Sequence, residues 1–124
     1  MSPEEGPLTP DRIAAGIQYY IRKLSEATDA YSVASDKKAE TKAELQIQEA
    51  KSRTYFRSEV TKDWERRPTE QQVEDYCTIE CEEELKAKLH AEAREEALKI
   101  SVRSLQSRLD GTRSLGASLR SNLD

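Results

Sequence analysis

From Ile17 to Arg67 the chain contains neither proline nor glycine, and a 4-3 spacing of inward-type residues runs through that stretch. The series begins Ile13, Ile17, Tyr20, Leu24, Ala27, Tyr31, Ala34. Alternating gaps of four and three keep these positions on one seam of a helix. The same count continues through Lys38, Thr41, Leu45, Gln48, Ser52 and Tyr55, where the residues become more polar but the register holds. Such a stretch specifies a long helix.

The start of this helix is marked by Thr9-Pro10-Asp11. Thr9 can cap free N–H groups, Pro10 loses nothing at the first helical position, and Asp11 suits the positive end of the dipole. The sequence predicts a helix over about 10–59. A competing arrangement breaks it near Ser32–Asp36, where Ser32 and Val33 are weak helix formers and Ser35 could cap a new start. Residues 1–8, with two prolines, a glycine and two glutamates, read as a disordered acidic tail.

Pro68 is the only proline after Pro10, and it biases Arg67 away from helix. Residues 60–68 are therefore expected to form a basic loop. Thr69, followed by Glu70, Gln71 and Gln72, opens a second helix over about 69–119. Its first half places Val73, Cys77, Cys81, Leu85, Leu89, Ala93 and Ala97 at steps of four, a stripe that winds about 40° per step. From Leu98 the 4-3 spacing returns with Val102, Leu105, Leu109, Thr112, Gly116, Leu119 and Leu123. Gly111 and Gly116 are candidates to bend or end this helix.

Two predicted helices of matched length joined by a short loop give an all-α fold, a long antiparallel helical hairpin in a single domain over 9–124. Composition agrees. Charged residues make up 35% of the chain, against a usual figure of about 25%. Leu, Ile, Val and Phe together are only 22 of 124 residues, too few for a large core. Two narrow seams need little apolar material, and self-association would bury what they leave exposed, so a homo-oligomer is expected. No uncharged run approaches the ~18 residues of a membrane span. The acidic opening M-S-P-E-E-G-P-L-T-P lacks an apolar stretch and is not expected to be a secretory signal, and Cys77 and Cys81 are the only cysteines. A cytoplasmic location is expected.

The net charge of −4 conceals an uneven distribution. Residues 70–96 carry ten acids and three bases, while 51–67 and 99–124 each carry three more bases than acids. Residues 51–67 hold Lys51, Arg53, Arg57, Lys62, Arg66 and Arg67, interleaved with Tyr55, Phe56 and Trp64. Cations neutralise phosphates and aromatic faces stack on unpaired bases, so this segment suits single-stranded nucleic acid. The structural reading of the same residues is a hairpin end, with Phe56 and Trp64 as filling and the cations as solvated surface.

Other chemistry finds less support. Cys77 and Cys81 lie one helical turn apart and His90 is offset from them, which leaves a zinc site short of ligands. No phosphate loop and no nucleophile–base pairing is present, so neither an enzyme nor a cofactor is expected.

The segment E-A-K-S-R-T-Y-F-R, residues 49–57, resembles the Lys-x-Arg-plus-aromatics motif of UvsY-type phage recombination mediators. The ending S-L-Q-S-R-L-D-G-T-R-S-L-G-A-S-L-R is similar to small helical phage proteins of that kind. The resemblance implies a non-enzymatic accessory protein of the host bacterial cytoplasm that binds single-stranded DNA. It would form a ring-like oligomer and help load a recombinase onto DNA coated with single-strand-binding protein. It carries Lys51 and Arg53 over as DNA contacts; Tyr55 and Phe56 take the aromatic positions, shifted by one residue. Arg57, Lys62, Trp64, Arg66 and Arg67 are added from charge and aromaticity alone. The alternative is a coiled-coil scaffold, adaptor or inhibitor that acts through protein contacts and has no DNA role.

Overall fold

A computed structural model describes residues 8–123; all of the expected tail except Leu8 lies outside them, as does the side chain of Leu123. The fold is an all-α helical hairpin. Helix α1 spans Pro10–Tyr55 and passes into a π-helical turn, Phe56–Val60. Helix α2 spans Glu70–Glu80, and helix α3 spans Glu82–Leu123. Thr9 caps α1 as its sequence suggests, accepting from the Arg12 N–H at 3.2 Å. At the start of α2 the cap is reciprocal. The Gln72 N–H donates to Thr69 Oγ1 at 3.1 Å, and the Thr69 N–H donates to Gln72 Oε1 at 2.9 Å.

Two expectations about helix integrity are corrected. The first arm is not broken at Ser32–Asp36: α1 runs through, with Ser32 and Val33 exposed and Tyr31 and Ala34 keeping the seam. The interruption falls instead in the second arm, at Cys81, whose φ of −102° and ψ of 20° leave the helical range. It is slight. The Cys81 N–H still donates to the Cys77 carbonyl, and the Leu85 N–H to the Cys81 carbonyl, each at 2.9 Å. β-Branched Thr78 and Ile79 precede the hitch, and three consecutive glutamates follow it at the new helix start, where the dipole favours them.

The chain divides into two compact units, each an antiparallel pairing of α1 with the second arm. The unit made of Met1–Val33 and Glu96–Asp124 joins the beginning of α1 to the end of α3. Its inward positions are Ile13, Gly16, Ile17, Tyr20 and Leu24 on α1, and Leu98, Val102, Leu105, Leu109, Gly116 and Leu119 on α3. Gly116 does not end α3, which continues to Leu123. A Cβ built there would lie 3.2 Å from Ile13 Cγ2, so the missing side chain is what lets the two backbones approach. Gly111, by contrast, faces open space.

The unit Ala34–Glu95 has a more polar seam. Ala34, Thr41 and Leu45 are buried, and Lys38, Gln48 and Ser52 half-buried. They face a second arm whose inward positions are Val73, Cys77, Cys81, Lys88, Ala91 and Glu95. The stripe of steps of four ends at Leu85: Leu89, Ala93 and Ala97 are all exposed. A stripe that winds cannot stay against a partner whose own seam follows 4-3 spacing, so α3 adopts the partner's period and leaves the winding residues outside.

Candidate nucleic-acid interface

The tip of the unit Ala34–Glu95 is built around Phe56. The inward position expected at Tyr55 passes to Phe56, a step of four from Ser52, and the π-helical turn begins at Phe56 itself. Tyr55 is 55% exposed and Phe56 only 5%. The Phe56 ring stacks on Tyr76 with centroids 4.5 Å apart and meets Trp64 edge-on at 5.8 Å. Val73 and Cys77 complete this cluster. Phe56 is thus the plug of the hairpin end, and its faces are covered. Trp64 covers one side of the plug yet stays 45% exposed, so part of the indole remains open.

Thr61 fixes the path of the loop. Its N–H closes the π turn on the Phe56 carbonyl at 3.0 Å, and its hydroxyl donates to the Phe56 and Arg57 carbonyls at 3.1 and 3.2 Å. The Trp64 N–H then donates to the Thr61 carbonyl at 3.0 Å. These bonds satisfy backbone groups that the end of α1 would otherwise leave open. They also hold Arg57 and Trp64 on one side of the tip.

There they line an open groove of about 570 Å³, together with Thr61, Lys62, Glu65, Arg66, Arg67, Pro68 and Glu70. Four of the six sequence-predicted cations therefore meet in one place. Two carboxylates enter with them, and Glu70 pairs with Arg57 at 3.0 Å. The loop sequence gives no reason to expect Glu70 here. Its position as the first residue of α2 after the Thr69 cap is what turns it toward Arg57.

Lys51 and Arg53 do not join this groove. Both are exposed on α1, and two residues apart on a helix means about 200° apart, so they sit on opposite flanks of the seam. Arg53 lies beside Cys77, where burial pushes the thiol up and the guanidinium pulls the other way. Cys77 and Cys81 are both buried free thiols. Cys81 Sγ lies 3.6 Å from Ser52 Oγ, and the Cys77 thiol donates weakly to the Glu49 carbonyl at 3.9 Å. They pack the seam as small apolar side chains. His90 is exposed, and among the described residues no group of His, Cys, Asp or Glu is arranged to hold a metal. No described helix is long and apolar enough to cross a membrane. Comparison of the chain with protein-family models, with curated proteins and with solved structures finds no match.

Proposed function

We propose that this protein is a non-enzymatic accessory factor that binds single-stranded DNA at the hairpin tip. One observation carries the reading. Arg57, Lys62, Arg66 and Arg67 line one open groove with Trp64, the only tryptophan of the chain. Clustered cations bind phosphates whatever the net charge of the protein, and a part-exposed indole accepts a stacked base. The acidic segment 70–96 lies outside that contact in this reading, apart from Glu70. The finer role, that of a recombination mediator assisting recombinase loading as a homo-oligomeric ring, rests on the resemblance of residues 49–57 and 104–120 to UvsY-type proteins.

Fluorescence anisotropy with a labelled oligo-dT tests the reading. Binding is expected to be micromolar or tighter at low salt and to weaken steeply as salt rises. Replacing the four groove cations by alanine should abolish it. Lys51→Ala with Arg53→Ala should weaken it less, since these two stand on opposite flanks of α1. No binding at low salt would remove the proposal.

A second reading has its own support. Ile79 is 72% exposed and Leu89 53% exposed, both within the acidic segment, and an apolar side chain rimmed by carboxylates suits a basic protein partner. On that reading the protein is a scaffold or adaptor. A stoichiometric partner recovered from nuclease-treated lysate, and lost on Ile79→Glu, would favour it.

A further inference from the structure

The tip groove contains its own anion. Glu70 Oε1 sits 3.0 Å from an Arg57 guanidinium nitrogen, in the groove that Lys62, Trp64, Arg66 and Arg67 also line. A carboxylate and a phosphate make the same charge-assisted hydrogen bonds to a guanidinium, so Glu70 occupies Arg57 with the chemistry a strand would offer. Both partners of the pair have their backbone held. Glu70 opens α2 directly after the Thr69–Gln72 capping box, and Thr61 grips the carbonyl of Arg57. The two charges are therefore brought together by fixed backbone rather than by chance meeting of two free side chains. Yet the pair is open to water, with Arg57 about half and Glu70 four-fifths exposed. Such pairs are weak and screened by salt, and a ligand carrying several phosphates can displace one carboxylate.

We propose that Glu70 is an internal competitor for Arg57, which withholds one cation of the groove until a polyanion displaces it and so sets the threshold for strand binding. This rests on the reading of the groove as the single-strand site. It also gives the groove discrimination. An isolated anion would have to outcompete a tethered carboxylate, whereas a strand engaging the other cations at once brings its next phosphate to Arg57 at high effective concentration.

The test is anisotropy of labelled oligo-dT over a range of salt concentrations with the whole protein. The variants are Glu70→Gln, Glu65→Gln, Arg57→Ala and the Arg57→Ala/Glu70→Gln pair. Circular dichroism confirms that each keeps its helix content. Glu70→Gln should bind roughly two- to fivefold more tightly at low salt, and the gain should shrink as salt rises, because salt screens the pair that the substitution removes. That gain should fall below about twofold in the Arg57→Ala background and for Glu65→Gln, because neither change releases Arg57. An equal gain from Glu65→Gln, or one that persists without Arg57, would make Glu70 a general charge effect and overturn the competitor role. Unchanged affinity in Glu70→Gln would overturn it while leaving strand binding intact. Absence of binding by both the natural protein and Glu70→Gln would instead remove the single-strand reading and the competitor with it.

Discussion

The two units use the same spacing and fill it differently. In the unit joining the beginning of α1 to the end of α3, the seam is aliphatic and aromatic, and Gly116 admits Ile13 at close range. In the unit Ala34–Glu95 the seam is polar along most of its length. Its polar groups are partnered: Lys38 Nζ reaches Glu95 at 3.1 Å, the Thr41 hydroxyl donates to the Lys37 and Lys38 carbonyls at 3.0 Å, and Ser52 meets Cys81. Partnered polar groups avoid the cost of burial but add little net stability. What the second unit lacks along its seam it gathers at the tip, in Phe56, Tyr76, Val73 and Cys77. Spacing alone thus sets how the arms pair, and the residues at those positions set where the stability lies. The unit with the more polar seam is also the one that carries the cationic groove on its well-packed end.

Substitutions can break or sharpen this contrast. The largest effect is expected from Phe56→Ala, which removes the plug and should cost about 3 kcal/mol in urea unfolding. It should also loosen Trp64 and the groove, seen as a shift of Trp64 emission toward that of free indole. A loss under about 1 kcal/mol would mean that the tip is not where this unit holds its stability. Next comes the glycine pair. Gly116→Leu forces a side chain against Ile13 and should cost about 1–3 kcal/mol, whereas Gly111→Ala meets nothing within 4 Å and should gain about 0.5–1 kcal/mol. Equal shifts of the two midpoints would show that the close approach does not matter. The smallest effect belongs to Glu95→Gln. Lys38 is two-fifths exposed, so loss of that pair should cost only about 0.5 kcal/mol, and the difference should vanish in high salt.

Much of the fold was legible in the chain. The seam of α1 from Ile13 to Ser52, the Thr9 and Thr69 caps and the turn before Pro68 all stand where the residues place them. The departures have local causes. Phe56 replaces Tyr55 because the seam steps by four from Ser52 where the 4-3 count calls for three, and nothing in T-Y-F-R announces that step. Leu89, Ala93 and Ala97 read as a stripe because they are apolar at steps of four. The seam instead takes Lys88, Ala91 and Glu95, since the partner helix and not local hydrophobicity fixes the period. At the candidate site the cations were legible by type, but their grouping was not. Lys51 and Arg53 are close in sequence and diverge on the helix, while Arg57 and Glu70 are distant and meet across the tip. The backbone path through Thr61 and the Thr69 cap jointly bring that pair together.

The central claim, that a single strand is held in the tip groove, is tested most directly by Trp64 itself. As the only tryptophan, part-exposed in the groove, it reports a base stacked there without any label. Titration with oligo-dT at low salt should quench its emission to a plateau, and added salt should restore it. Emission unchanged at saturating oligonucleotide would contradict the claim, because a strand bound elsewhere on the protein would leave Trp64 untouched.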